Sequence, residues 1–320
     1  MTNTDIAILG QPGYAKEIAK AGTVSDITFY NLKRGDDTVT LIEPTRYPER
    51  LAPLFYAVSL ADAALLIINE ITPSLGEMVV MLDVMGIQKG YIILQNYLDP
   101  SRIMPLVQGT VVANYAFLED NAIELRERLL NEASGKKSGE GDVREGVVFV
   151  DHHFNVKGIG TVVLGSVERG TIRKHDILNV LPGNKTAQIR SIQKHDDDYD
   201  EAHGGDRVGL ALKNIDAEEL DRGYVLTRSK EVVTSDAIRG DAQLVRYWQE
   251  ALHEGMVVHV GHWMQFVPAR IESVDAGDDW RAPALSLSLE KALVYLPGDM
   301  AVLHYLDGGK LRIAGSMRIE

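Results

Sequence analysis

The chain reads as an α/β domain with a mainly parallel sheet, followed by two β-barrels. Three observations carry that reading. Through residue 130, short apolar runs alternate with stretches of helical periodicity. A polar segment with almost no apolar side chain comes next. Beyond it lie many short strands separated by turn residues, with no helical stretch between them. The expected division is 1–135, 136–230 and 231–320.

Taken in order, Ile6–Leu9 is a short apolar run entering a Gly-Gln-Pro-Gly turn, and Tyr14–Lys20 has the length of a short helix. Ile27–Asn31 and Thr38–Ile42 flank the polar turn Arg34-Gly35-Asp36-Asp37, the pattern of a β-hairpin. Ala63–Ile68 is apolar throughout, as a strand buried on both faces must be. Ser74 opens a helix in which Ser74 and Glu77 form a capping box. Leu75, Met78, Val79 and Leu82 share a face there, and Gly86 closes it. Tyr91–Leu94 and Val111–Ala113 are further strands, and Leu118–Leu130 is an amphipathic helix. Asn131–Gly146 is a linker rich in Gly, Ser, Lys and Glu.

The barrel strands are expected at Val147–Val150, Gly160–Val167, Ile177–Val180, Ala187–Ile192, Arg207–Leu212 and Gly223–Leu226. The second set runs over Val257–Val260, Phe266–Ile271, Ala284–Leu289, Ala301–Leu306 and Leu311–Met317, with a break near Lys230–Asp241 between the two.

Composition narrows the function. The 320 residues include no cysteine, which excludes disulfides, thiolate metal sites and cysteine nucleophiles. No apolar run reaches the length of a membrane span, and the N-terminus lacks the basic-then-apolar start of a secretory signal, so the expected compartment is cytoplasmic. A net charge of −13 argues against a surface that grips nucleic acid all over. Neither membrane nor DNA is an expected partner. Residues 141–230 carry 13 Lys and Arg against 15 Asp and Glu, closer to balance than the flanks, so a local basic face belongs there.

Two motifs in the first domain bear on nucleotides. Gly10-Gln11-Pro12-Gly13-Tyr14-Ala15-Lys16-Glu17 follows a strand and precedes a helix, with Lys16 at the offset of a phosphate-loop lysine. Its second glycine is Ala15, and its magnesium-hydroxyl position is Glu17. An ordinary strand–helix turn is the competing reading. Asn96-Tyr97-Leu98-Asp99 stands where GTPases place the Asn-Lys-x-Asp segment that reads guanine, with Tyr97 in place of Lys; a plain Asn/Asp turn competes there too.

The middle of the chain is more specific. Asp151-His152-His153-Phe154 and the glycine-dense run to Gly170 are followed by Gly205-Asp206-Arg207-Val208-Gly209-Leu210 and Asp221-Arg222-Gly223-Tyr224-Val225-Leu226. In this order the motifs closely resemble the second domain of elongation factor Tu and of SelB, its selenocysteine-specific relative, over Val147–Thr227. Glu254-Gly255-Met256 and Leu296-Pro297-Gly298-Asp299 look like the third barrel of that family. The resemblance makes the first domain a P-loop GTPase-like α/β domain in degenerate form.

Several site residues follow from the resemblance alone. The nucleotide-binding positions are Gly10, Gly13, Lys16, Glu43, Asn96 and Asp99. The Asp-x-Pro-Gly-His segment of GTPases falls on Glu43-Pro44-Thr45-Arg46-Tyr47. There Glu43 replaces the magnesium-linked Asp, Arg46 the glycine that senses the terminal phosphate, and Tyr47 the residue that positions water. Between Lys16 and Glu43 there is room only for a helix and one strand, so the long switch loop is missing. The implied protein has no catalytic residue and no hydrolysis. It needs no cofactor, with GTP and magnesium entering only if the degenerate site still binds them.

On the second domain the resemblance implies an aminoacyl-tRNA site. Asp151 and His152 fall where acidic side chains face the amino acid, Phe154 is the aromatic floor, and Gln193 meets the terminal ribose. His195 lines the pocket, Arg207 replaces an Asn near the amino group, and Leu164 replaces a Thr. With His153 the pocket is more basic than that of elongation factor Tu and looks more like the selenocysteine factor's. Arg207 would repel an α-ammonium unless Asp151 or Asp206 pairs with it. His152 and His153 point to opposite faces of one strand, so one of them is a packed or surface histidine.

Asp196–Asp198 with Asp200 and Glu201 reads as a solvated hairpin tip, and His259 and His262 as barrel packing; no metal site is expected. The reading is an elongation factor-like binder of aminoacyl-tRNA. Among relatives it looks most like the SelB-like factor proposed to serve pyrrolysine, and it acts without GTP hydrolysis. The ribosome is a further candidate partner. Two alternatives stay open: a guanine-nucleotide switch with altered motifs, and a ribosome- or factor-docking protein that touches no tRNA.

Overall fold

The computed structural model describes residues 2–35, 37–134, 142, 144–307, 309 and 311–320. The chain forms two compact units: Met1–Lys136 with Gln243–Ala251 and Val302–Ser316, and Lys137–Ala242 with Leu252–Ala301 and Met317–Glu320. Among the described residues no helix is long and apolar enough to cross a membrane.

The α/β domain is built on strands β1 Thr2–Gly10, β2 Lys20–Val24, β3 Thr28–Arg34, β4 Asp37–Glu43, β5 Ala63–Ile68, β6 Gly90–Leu94 and β7 Ala116–Leu118. They form one sheet in the order β2-β3-β4-β1-β5-β6-β7. β1 runs parallel to β4 and β5, and β6 and β7 continue the parallel set, while β3 is antiparallel to both β2 and β4. The expected hairpin is therefore the edge of the sheet, although Asp36 of its turn lies outside the described residues. β5 is buried at every position, as its unbroken apolar run requires.

Helices α1 Ala15–Ile18, α2 Ala52–Ser59, α3 Pro73–Val84, α4 Pro100–Val107 and α5 Ala122–Ala133 complete the domain. One sheet face packs Ile6, Ile8, Leu65, Ile67 and Ile93 against Tyr14, Ile18, Leu125 and Leu129.

Several local expectations give way to the tertiary structure. Tyr14–Lys20 contains only a four-residue helix, and Lys20 already opens β2, so β2 and β3 both precede β4, the strand that ends at Glu43. α3 starts one cap earlier than expected. Thr72, not Ser74, accepts the Leu75 amide, and the buried Glu77 turns instead to Arg312 and Tyr47. A buried carboxylate needs a cation more than a cap does. Val111–Asn114 is a 3-10 turn, with the strand following at β7; Leu118 ends that strand and α5 begins at Ala122. Asn131–Ala133 of the expected linker belongs to α5. Arg144 and Glu145 already meet the barrel, since the Gly146 amide donates to Thr171 and Glu145 bridges it. Residues 135–141 and 143 of that linker lie outside the described residues.

The middle barrel comprises β8 Val147–Val156, β9 Gly160–Arg169, β10 Thr171–Arg173, β11 Ile177–Leu181, β12 Lys185–Lys194, β13 Asp197–Tyr199, β14 Glu201–His203, β15 Arg207–Lys213 and β16 Val225–Thr227. Its main ring runs β11-β16-β8-β9-β15-β12 and is closed by the β11–β12 pairing, with β13 hairpinned onto β12. Val148, Val150, Val163, Val208, Leu210 and Ile192 fill its interior.

The last barrel uses β17 Val233–Leu244, β18 Val257–His262, β19 Gln265–Asp275, β20 Ala284–Tyr295, β21 Met300–His304 and β22 Ile313–Ile319, closed in the order β17-β20-β19-β18-β21-β22. The break expected near Lys230–Asp241 is largely β17. Its alternation is visible in burial, at Ile238, Gly240, Ala242 and Leu244, two of which carry little or no side chain.

Candidate functional site

In an open parallel sheet, ligands gather at the carboxyl ends of strands where the strand order reverses. Here that edge is β1 between β4 and β5, and it carries the nucleotide-binding positions expected from the sequence. Gly10 ends β1 with φ +101°, and a Cβ there would lie 1.9 Å from the Ile67 carbonyl oxygen. Only glycine fits this approach. Gly13 also has positive φ, but in open space.

Glu43 ends β4 and is buried, 8% exposed. One of its carboxylate oxygens accepts the Gly13 amide, and the other accepts the Tyr30 hydroxyl at 2.7 Å. Lys16 is exposed on α1. Tyr14, buried in the loop, donates at 2.6 Å to Asp120, which also receives Gln95 at 2.8 Å.

The other positions have structural occupations. Asn96 donates to the Asn69 carbonyl at 3.2 Å in a turn where Asn96 and Tyr97 both take positive φ. Asp99 caps α4 by accepting the Ser101 amide at 2.9 Å, and its hydrogen bonds to Ser101 hold the carboxyl below the usual range. The Arg46 amide donates to the Asp26 carbonyl at 3.2 Å. Tyr47 donates to the Ser74 carbonyl at 2.9 Å and lies 3.1 Å from Glu77, which is bound by Arg312.

The middle barrel brings most of the remaining site residues onto its outer face. Strand pairing sets His152 opposite Leu164, Leu164 opposite Gly209, Gly209 opposite Gln193 and Gln193 opposite Asp198. The adjacent outward row is Phe154, Val162, Ala211 and Ser191. Glycine at 209 leaves a gap in the first row, where an added Cβ would meet Leu164 at 3.5 Å and Gln193 at 4.0 Å.

A bulge between Val150 and His152 decides the rest. A bulge puts two consecutive side chains on one side of a strand, and here they are Asp151 and His152. The Asp151 carboxylate is entirely buried. It accepts Arg207 through both oxygens at 2.5 and 3.1 Å and lies 2.5 Å from His152 Nδ1. Burial alone would raise its pKa; the Arg207 charge and the His152 bond overcome that and hold it down at about 2. Asp206 takes the other role left open by the sequence, pairing with Lys194 at 3.0 Å and accepting the His203 amide at 2.9 Å.

Two expected residues stand apart from this face. His153 lies opposite Val163, in the row of Leu210 and Ile192 that forms the interior, so alternation places it away from His152. His195 has φ +48° in the two-residue turn joining β12 to β13, past the end of the paired row, while Gln193 donates to Asp198 at 2.9 Å. Gly209 is the residue of this face that sequence reading overlooked. Its only signal was a small residue between Arg207 and Ala211 on an otherwise bulky strand.

The elongation factor Tu domain 2 family model matches residues 160–227, the greater part of this barrel. An uncharacterized protein of Methanocaldococcus jannaschii, MJ0325, is 39% identical over 95% of this chain and 94% of its own length. The selenocysteine-specific elongation factor of the same organism is 26% identical over 84% of this chain, which spans 61% of that protein. In fold, the chain matches SelB of Methanococcus maripaludis in complex with the GTP analogue GppNHp with a TM-score of 0.85. That match covers 100% of this chain and 79% of SelB at 24% identity. A bacterial selenocysteine-specific factor matches with a TM-score of 0.79 and 19% identity, over 100% of this chain and 58% of that one. The P-loop GTPase-like α/β domain followed by two barrels is thus the SelB architecture, its middle barrel resembles elongation factor Tu domain 2, and the chain belongs to one family with MJ0325.

Proposed function

We propose that the protein binds aminoacyl-tRNA on the outer face of its middle barrel, serves a non-standard amino acid such as pyrrolysine, and does so without hydrolysing GTP. The observation that supports this most directly is the Asp151–Arg207 pair. An arginine beside an incoming α-ammonium would repel it, and the buried Asp151 carboxylate cancels that charge. The cancelled pair borders His152, Phe154 and Leu164 and the gap over Gly209, a surface that accepts a bulky side chain beside a few polar groups. Relatives dedicated to selenocysteine favour a specialised amino acid over the common set.

The reading without hydrolysis rests on Glu17 at the magnesium-hydroxyl position, on the Arg46 amide spent on Asp26, and on Tyr47 held by Ser74 and Glu77. Hydrolysis needs metal, positioned water and free phosphate donors together.

Equilibrium binding of the full chain to matched aminoacylated and deacylated tRNA, across salt and with and without GTP, tests this. A preference for the aminoacylated form without nucleotide, reduced by Phe154→Ala on the exposed floor of that face and unaffected by His195→Ala, is the expected result. Binding that ignores the amino acid, or no binding, points instead to a protein or ribosome partner. Affinity that appears only with GTP restores the nucleotide switch.

A further inference from the structure

Glu43 poses a physical question that the tRNA reading leaves untouched. A carboxylate that is 8% exposed must be compensated, yet among the described residues it has no Lys or Arg partner. Its two oxygens are satisfied by a backbone amide of the β1–α1 loop, Gly13, and by the hydroxyl of Tyr30. Small-residue loops between a strand and a helix attract anions because their N–H groups converge. In this loop the anion that receives the Gly13 amide comes from the neighbouring parallel strand. We propose that Glu43 is a built-in plug: its carboxylate takes the anion position of the β1–α1 loop and keeps that loop closed to phosphate, so the α/β domain holds its shape without a nucleotide.

The surroundings are built for the plug. Tyr30 lies opposite Leu41 on the β3–β4 ladder, which places it diagonally beside Glu43 on one face. Burial and the adjacent carboxylate push the Tyr30 hydroxyl well above the ordinary phenol range, so it remains a donor. Thr45, just beyond Glu43, is bound to Thr28 through their hydroxyls at 2.7 Å. Gly10, where an added Cβ would meet the Ile67 carbonyl, fixes the start of the loop close to β5. The lysine of the loop, Lys16, points to solvent and does not contest the carboxylate. A phosphate entering the loop would have to displace a buried negative charge that has nowhere else to go. Like charges this close are not both tolerated.

The test needs no tRNA, so it can fail while the tRNA reading stands, and the reverse. On the full chain, amide hydrogen exchange at Gly13 and equilibrium dialysis of inorganic pyrophosphate and of magnesium GTP are compared between wild type, Glu43→Ala and Glu43→Gln. The wild type is expected to protect the Gly13 amide and to bind neither ligand at millimolar concentration. Glu43→Ala is expected to exchange Gly13 about tenfold faster and to gain about tenfold in pyrophosphate affinity. Glu43→Gln, whose side-chain carbonyl still accepts the amide, keeps most of the protection. Wild type binding pyrophosphate or GTP as tightly as Glu43→Ala overturns the proposal, as does Glu43→Ala with wild-type exchange at Gly13. Should Glu43→Ala not fold, Tyr30→Phe leaves the charge and removes one donor. Gly13 exchange must then rise, and an unchanged rate also overturns the proposal.

Discussion

Two buried carboxylates organise two different regions. Asp151 in the middle barrel is matched by a guanidinium and an imidazole, whereas Glu43 in the α/β domain is matched by a peptide amide and a phenol. The difference decides what each region has left to offer. Pairing with Arg207 consumes only side chains, so the backbone of the outer sheet face around His152, Leu164 and Gly209 keeps its strand pairing. Pairing with Gly13 consumes a backbone donor, the kind of group a phosphate would need.

The comparison is broken most severely at Arg207. Arg207→Ala leaves a fully buried carboxylate without its cation, and urea unfolding is expected to show a loss of about 3–5 kcal/mol. Replacing the pair together by apolar residues of similar volume should cost far less, because no charge is stranded. Next in size is the loop. Gly10→Ala must place a Cβ against the Ile67 carbonyl at φ +101° and is expected to cost about 2–4 kcal/mol. Gly13→Ala meets open space and is expected to cost about 1–2 kcal/mol, for its positive φ alone.

A pH series separates the two carboxylates. Asp151 has a folded value of about 2 against an ordinary carboxyl near 4, so its stabilisation is complete above about pH 4 and is lost as pH falls toward 2. The stability gap between wild type and Asp151→Asn should therefore narrow across that window and stay constant above it. The smallest contrast lies at the start of α3 in the α/β domain. Thr72→Ala removes the observed cap and should cost about 1 kcal/mol by thermal unfolding. Ser74→Ala should stay within about 0.5 kcal/mol.

Legibility differed between these regions for physical reasons. β5 could be read to the residue because a strand buried on both faces is apolar throughout, and the end of α3 because Gly86 takes the left-handed conformation that closes a helix. α2 and α4 escaped notice. Each begins with a proline at its first turn, and α4 carries Pro105 inside, so proline masked the periodicity. Val111–Asn114 has β-branched residues yet turns as a 3-10 helix, its Val111 amide taken by Asp83 at 2.8 Å. On the barrel face, His152 and Phe154 share an outward side by alternation, as a strand pattern foretells. That Asp151 joins His152 there was implied only by the family resemblance; alternation alone could not give it, because a bulge shifts the register without marking the sequence.

Period and composition alone determined the class of this protein: alternating apolar runs and helices for the α/β sheet, then many short strands for the barrels, and glycine-rich motifs that point to the elongation factor fold. Tertiary structure alone decided which carboxylate met which donor. The sequence left Arg207 a choice between Asp151 and Asp206, and strand pairing gave it Asp151 and sent Asp206 to Lys194. The sequence placed Glu43 in a vanished metal site, and the parallel pairing of β1 with β4 delivered it to the Gly13 amide instead. Such partners lie 12 to 56 residues apart along the chain. Burial forces every charge to find a partner, but only the folded register says which one is within reach.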